Sequence, residues 1–292
     1  MALQLLENEM LSRHTTFKVG GPATYFVTVK TLEELKEALQ FSKEKSLPYF
    51  LLGNGSNLLV SDAGYQGVII KLGGAFDEVT VSGEHITAGA AALLTSVSQT
   101  AFANALKGLE FAYGIPGTIG GGLYMNAGAY GGEMKDVVES VTILSPSGEV
   151  EVLSCEEMKF GYRDSILKKE KEGIIVSCSL KLTAGDPTEI KTIMDTNMSS
   201  RKEKQPLEYP SAGSTFKRPE GYFAGKLISD AGLKGYSVGG AQVSEKHAGF
   251  VINKGGATAA EIDRLMQDVA EKVFALYGVQ LEPEVLKVGS FS

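Results

Sequence analysis

The chain has 292 residues, 43% of them hydrophobic, and a formal net charge of −7. That length holds two or three domains with real cores, and the apolar fraction excludes a disordered chain. The acidic balance argues against a nucleic-acid surface, which needs a broad basic face, while a small anion held by a few local cations remains compatible with it.

From Thr24 to Leu72 the pattern predicts an α/β unit: strand YFVTV, helix TLEELKEALQFSKEKS opened by a Thr31-x-x-Glu34 capping box, then strands PYFLLG and GVIIKL. From Gly73 to about Leu182 the texture becomes mostly β, with EVTVSG, HITAGA, ESVTIL, EVEVL and IIVSCSLKL as short strands and one helix near Ser96–Leu106. Ser145-Pro-Ser-Gly148 reads as a hairpin turn, and a glycine-dense loop, Gly114–Gly132, interrupts the region. At Asp186-Pro-Thr-Glu189 a capping aspartate and a proline at the first helical position announce a new helix and the approach to a third domain. The last helix starts at Thr258-x-x-Glu261 and ends at Gly278, with Ile262, Leu265, Met266, Val269, Val273 and Phe274 forming one apolar face, read as core. The expected division is 1–72, 73–200 and 201–285, with the tail 286–292 completing the first part.

The N-terminus MALQLLENEML carries acids where a secretory signal carries bases, and Cys155 and Cys178 are too far apart for a C-x-x-C pair. Both point to a reducing cytoplasm. No uncharged apolar run approaches the roughly 18 residues that span a bilayer, so no membrane association is expected. His14, His85 and His247 are scattered, none at helical metal-pair spacing, so no metal site is expected. No nucleic acid and no obligate protein partner is expected.

Two loops carry the chemical signal. In Leu51-Leu-Gly-Asn-Gly-Ser-Asn-Leu-Leu-Val60 a strand runs into small and amide residues, a pattern that serves either as an ordinary tight turn or as a backbone cradle for a phosphate. It matches neither G-x-x-x-x-G-K-[ST] nor G-x-G-x-x-G. In GIPGTIGGGLYMNAGAYGG, residues 114–132, the glycines weaken any simple helix or strand, while Ile115, Ile119, Leu123, Tyr124 and Met125 call for burial. Close approach of backbone to a bulky ligand reconciles the two.

LGNGSNLLV, EFAYGIPGTIGGGLYMNAGAYGGE, FGYRDS, PSAGSTFKRP and LEPEV, in that order, resemble the UDP-N-acetylenolpyruvoylglucosamine reductases of peptidoglycan synthesis, from Thr15-Thr-Phe-Lys-Val-Gly-Gly-Pro22 to Glu284. The resemblance implies an α+β chain with an FAD-binding fold of the vanillyl-alcohol-oxidase (PCMH) type in two N-terminal domains and a C-terminal α+β substrate domain. It implies FAD as cofactor and NADPH as co-substrate. UDP-N-acetylglucosamine enolpyruvate would be the substrate, its enolpyruvyl ether reduced to a lactyl ether.

Carried onto this sequence, the resemblance implies that Gly53, Asn54, Gly55, Ser56, Asn57 and Leu58 cradle the FAD diphosphate. Gly114, Ile115, Pro116, Gly117, Gly120, Gly121, Asn126, Ala127 and Gly128 would line the flavin. Ser214 of AGSTF would protonate the α-carbon, Arg163 of GYRDS would stabilise the enolate oxygens, and Glu284 of LEPEV would complete the acid and charge-stabilising group. On the residues alone Arg163 beside Asp164 reads as a surface ion pair, Glu284 as a loop acid and Ser214 as a turn or cap. A serine nucleophile is disfavoured because Phe216 stands where a G-x-S-x-G elbow needs its second glycine.

On the same resemblance, Lys217, Arg218 and Lys226, close to Ser214 in sequence, would supply positive charge for a UDP diphosphate, with Arg201 adding to them. Two departures stand out: Arg218 occupies a place that is an amide in many relatives, and Leu286 follows LEPEV where a base is common. The short path from Leu182 to Arg201 marks the shorter, type II form. Other readings are a different flavin oxidoreductase of the same fold, or a non-catalytic flavin or nucleotide-sugar binder. The joint presence of Arg163, Ser214 and Glu284 is more than a binder requires.

Overall fold

A computed structural model describes residues 3–291; Met1, Ala2 and Ser292, at the outer ends of the first expected part and its tail, lie outside them. Strand β1 (Leu5–Met10) leads through the TTFKVGG segment to β2 (Pro22–Val29). Helix α1 (Leu32–Glu44) follows, with the Thr31 hydroxyl accepting the Glu34 N–H at 3.2 Å. The expected box closes one residue early: the Glu34 carboxylate takes the N–H of Lys30, at 2.6 Å. Strands β3 (Tyr49–Leu52), β4 (Leu58–Val60) and β5 (Tyr65–Leu72) follow, and β1, β2, β5 and β3 lie in that order in one sheet.

The mostly β region then runs through β6 (Val79–Ser82), β7 (His85–Gly89), α2 (Leu94–Ala103) and β8 (Leu106–Lys107). After α3 (Ile119–Tyr124) come β9 (Gly128–Ala129), β10 (Gly132–Glu133), β11 (Val138–Leu144) and β12 (Val150–Ser154). It closes with α4 (Ile166–Lys169), β13 (Ile174–Lys181) and β14 (Thr183–Ala184). Helix α5 (Pro187–Lys204) begins where Asp186 Oδ1 accepts the N–H groups of Thr188 and Glu189, at 2.7 and 3.2 Å. The remaining elements are α6 (Ala224–Asp230), β15 (Ser237–Val238), β16 (Ala241–Val243), β17 (Val251–Asn253), α7 (Ala259–Tyr277) and β18 (Leu286–Val288).

Contacts divide the described residues into two units, the first holding 3–5, 27–54 and 70–201, the second 6–26, 55–69 and 202–291. The first is built on an antiparallel sheet in the order β12-β11-β13-β7-β6. Apolar residues alternating along these strands bury Ile86, Val141, Ile143 and Leu180 with Leu94, Val97, Ile119 and Leu123 of the helices. Each such side chain contributes about 1.5–3 kcal/mol through apolar area removed from water. Cys178 lies inside this core opposite Val141, and burial pushes its thiol up to about 12, so it packs as a small apolar residue rather than a nucleophile.

The glycine-dense segment is not a simple loop. Six of its residues, IGGGLY, form α3, because Ile119 and Leu123 are fully buried one turn apart and Thr118 caps the start by accepting the Gly121 N–H at 3.3 Å. Burial and the cap outweigh the conformational entropy of three glycines, each worth about 1 kcal/mol against alanine.

In the second unit α7 lies against the three-stranded sheet β15-β16-β17. Its capping box is complete, with Thr258 and Glu261 each accepting the other's N–H, and Gly278 ends it in a left-handed turn at φ +68°. Ile262, Leu265, Met266, Val269 and Val273 are buried as the stripe requires, whereas Phe274 is 53% exposed. It lies in the last turn, next to Val273 at the edge of the stripe, where the apolar face reaches solvent. Strand β18 pairs in parallel with β4, register Leu286 to Leu58.

Candidate active site

The two glycine loops meet within the first unit, where Asn54 donates its side-chain N–H to the Pro116 carbonyl at 2.7 Å. Gly53 packs on Thr118 so tightly that a Cβ would come within 2.8 Å of its hydroxyl. The first amides of α3 are spent inside the protein: Ile119 donates to the Ala92 carbonyl and Gly120 to that of Ala90, both at 2.8 Å. The helix therefore spends these donors on the protein's own backbone. Gly121 is exposed, and a Cβ there would meet only the Thr118 hydroxyl, at 3.5 Å. Internal packing does not demand glycine at that point.

Asn126, fully buried, binds this loop to the turn that carries Arg163. Its side-chain amide donates to Glu133 Oε2 at 2.7 Å and to the Gly161 carbonyl at 2.9 Å, and its oxygen accepts the Lys135 N–H at 3.0 Å. Its side chain is thus committed inward. Ser165 donates to the Tyr124 carbonyl at 2.9 Å, and Arg163 Nη2 to the Gly128 carbonyl at 3.1 Å, so three side chains fasten the 161–165 turn to residues 124–128. Arg163 has φ +55°, a left-handed conformation that a non-glycine residue holds only when its surroundings impose it. The neighbouring Asp164 pairs with Lys169. Arg201, in the same unit, packs against Gly114, where a Cβ would come within 2.9 Å of its Cδ; burial lowers its guanidinium below the usual value, and Tyr130 opposes the shift.

In the second unit Gly55 turns at φ +62°, with a Cβ excluded by the His14 carbonyl oxygen 2.1 Å away. Beyond it Asn57 donates its side-chain N–H to the Glu284 carbonyl at 3.1 Å, and its own carbonyl accepts the Leu286 N–H at 2.9 Å. The Ser214 segment runs antiparallel to the same stretch. Glu284 N–H donates to the Thr215 carbonyl and Lys217 N–H to the Glu282 carbonyl, both at 2.8 Å, with Phe216 bridged to Pro283. Ser214, exposed, and Glu284, half-buried, therefore occupy neighbouring positions on paired segments.

The cations disperse. Lys217 pairs with Glu282 at 2.9 Å and Lys226 with Asp230 at 2.7 Å along α6, while Arg218 stacks 4.0 Å over the Phe223 ring and donates to the Tyr222 carbonyl at 3.3 Å. Leu286 enters the β18 ladder, and Lys287 turns to Asp263 on α7. His247 accepts the Gly249 N–H on Nδ1 at 3.1 Å, in a tight turn whose Gly249 carbonyl takes the Thr215 N–H at 2.8 Å. The His247 Nδ1 lone pair is thereby occupied, which weighs further against a serine-hydrolase arrangement.

Thr16, Asn57 as a strand anchor, Asp62 and His247 are supports that the sequence did not signal. Asp62 accepts the Ala259 and Ala260 N–H groups at 2.8 and 2.9 Å, a second cap on α7. Their bonds follow from no local spacing rule, because each partner is remote in sequence or is a main-chain atom. Among the described residues no group of three or more His, Cys, Asp or Glu is placed to hold a metal ion, and no helix is long and apolar enough to cross a membrane.

Residues 205–288 match the family model for the C-terminal domain of UDP-N-acetylenolpyruvoylglucosamine reductase, and 23–154 match an FAD binding domain. A UDP-N-acetylenolpyruvoylglucosamine reductase of Caldanaerobacter subterraneus is 51% identical over 286 residues, covering 98% of this chain and 94% of the relative. One from Agathobacter rectalis is 49% identical over 301 residues, covering 99% and 95%. The crystal structure of the Thermus caldophilus reductase superposes with a TM-score of 0.86 at 39% identity, covering 99% of this chain and all of that one.

Proposed function

The chain belongs to the UDP-N-acetylenolpyruvoylglucosamine reductase family, and on that premise we propose how its own residues divide the reduction of UDP-N-acetylglucosamine enolpyruvate to UDP-N-acetylmuramate. It is an FAD enzyme of peptidoglycan precursor synthesis with NADPH as reductant. FAD, when bound, supplies the route by which hydride passes from NADPH to the substrate's β-carbon. The residues fit such a group: the exposed Gly121 leaves bare backbone for a flat ring system to rest on, and the Asn54–Pro116 bond ties the two glycine loops together beside it.

As the new C–H bond forms at the β-carbon, the π pair of the enol ether moves toward the α-carbon and its carboxylate. Arg163 clamps that carboxylate, its planar fork suited to two oxygens. Ser214 gives its hydroxyl proton to the α-carbon, the O–H bond breaking as the second C–H bond forms. Glu284, on the paired segment, completes the acid and charge-stabilising group, and the serine oxygen regains its proton from water. The observation that carries this division is the antiparallel pairing of the Ser214 and Glu284 segments, 2.8 Å from Glu284 N–H to the Thr215 carbonyl. Lys217, Arg218, Lys226 and Arg201 are the cations proposed for the diphosphate. Lys217 and Lys226 exchange their carboxylate partners for it, and Arg218, an amide in many relatives, reaches it only by leaving the Phe223 ring.

The reading places the enzyme in the cytoplasm, with three parts at 1–72, 73–200 and 201–285. The test is Ser214→Ala in stopped flow: flavin reduction by NADPH should be near normal, and reoxidation by the enolpyruvyl substrate slower by roughly 10²–10⁴-fold, the span of general acid catalysis. Equal losses in both halves would make Ser214 structural.

A further inference from the structure

Thr16 lies in the Thr15–Pro22 stretch where the resemblance begins and carries no role in the reading above, yet it touches two of the other motifs. Its backbone N–H donates to the Gly55 carbonyl at 3.1 Å, and its hydroxyl donates to the Ser211 carbonyl at 2.6 Å, at the short end for such a bond. One residue therefore joins the turn of the proposed diphosphate loop to the start of the segment that carries Ser214.

Thr16 is itself held firmly. The adjacent Thr15 hydroxyl donates to the Val19 carbonyl at 2.9 Å, the Phe17 side chain is fully buried, and Asn253 Nδ2 donates to the Phe17 carbonyl at 3.1 Å. Between Ser211 and Ser214 the chain passes through Gly213, at φ +76° with nothing within 4 Å of where a Cβ would stand. This glycine is a pivot without side-chain packing. Upstream of it stands the Thr16 hydroxyl on the Ser211 carbonyl; downstream, the Gly249 carbonyl holds the Thr215 N–H. The serine between these two restraints is placed by both.

We propose that Thr16 is a positioning residue, whose hydroxyl holds the Ser211 carbonyl against the Gly55 turn and so sets where Ser214 Oγ stands relative to the diphosphate loop. This rests on the reading of Ser214 as proton donor. Thr16→Val is nearly isosteric, keeps the backbone bond to Gly55 and removes the hydroxyl; Thr16→Ser keeps the hydroxyl.

In holoenzyme, with UDP-N-acetylglucosamine enolpyruvate as oxidant, Thr16→Val should retain FAD by its visible absorbance and be reduced by NADPH at the wild-type rate. Its reoxidation should slow about tenfold, the order of one lost hydrogen bond, and Thr16→Ser should recover it. Combined with Ser214→Ala, Thr16→Val should add no further slowing, because the donor it positions is gone. Normal reoxidation in Thr16→Val, equal slowing of both halves, failure of serine to rescue, or additivity in the double variant would each overturn the proposal. If Thr16→Val does not fold, Thr16→Cys, a weak donor of similar size, must show the same selective slowing, and wild-type reoxidation in it would overturn the proposal. Normal reoxidation in Ser214→Ala alone would sink the reading beneath it, whereas a slow Ser214→Ala with a normal Thr16→Val would sink this inference only.

Discussion

Replacing Asn126 by alanine removes a fully buried side chain that makes three hydrogen bonds, at 2.7, 2.9 and 3.0 Å. Two of them meet main-chain groups and contribute about 1 kcal/mol each; the third meets a carboxylate and contributes about 1.5–3 kcal/mol. The low end applies to the third, since the Glu133 side chain is 27% exposed. Asn126 also has φ +42°, which asparagine tolerates and alanine does at a further expense of about 1 kcal/mol. The expected loss is therefore about 4–5 kcal/mol, or a fall of roughly 10–20 °C in thermal midpoint. Urea titration followed by far-ultraviolet circular dichroism gives the free energy directly. A loss below about 1.5 kcal/mol would refute the view that this amide is the internal knot between the glycine loop and the Arg163 turn. Asn126→Asp, which turns both donors into acceptors beside Glu133, should fall at least as far.

Two further outcomes are expected. Gly121→Ala should leave the thermal midpoint of the apoprotein at or above that of wild type, alanine being favoured over glycine in a helix by up to about 1 kcal/mol, while reducing the FAD retained on purification, because the nearest packed atom lies 3.5 Å from the added carbon; a less stable apoprotein would mean that this glycine serves the protein's own packing. Burial, with Lys234 adding to it, lowers the His247 imidazole below its ordinary value. Its folded pKa being depressed, the unfolded chain takes up its proton first as pH falls, so the stability this ring contributes is fully present above about pH 6.5 and is lost as pH drops through the lowered folded value. The gap in urea midpoint between wild type and His247→Phe should accordingly shrink from neutral pH to about pH 5; a gap that widens would mean that the protonated ring is the favoured one.

What sequence reasoning could reach depended on the range of the interaction. Helix α7 was legible to its ends because a 3.6-residue apolar period, a capping box and a terminal glycine agree, and only Phe274, in its last turn, escaped the pattern. The displaced half of the Thr31 box was not legible, since Glu34 can reach either of two adjacent N–H groups. Helix α3 was missed because composition weighs three glycines directly, while the buried Ile119 and Leu123 that stabilise it need the rest of the core to be known. Arg163, Ser214 and Glu284 acquired roles through the resemblance; their separate contexts read as an ion pair, a turn and a loop acid. Thr16, Asp62 and Asn126 bond to atoms that no spacing rule connects to them.

The parallel pairing of β18 with β4 has a consequence for biosynthesis. The strand that leaves the proposed diphosphate loop finds its partner in residues 286–288, and Asn57 waits likewise for Glu284 and Leu286. On the ribosome this loop emerges well before those residues and stays without their support until they too are made. A fragment ending before residue 284 would keep β4 and lose both ties, so firm shaping of the loop is deferred to a late stage of synthesis.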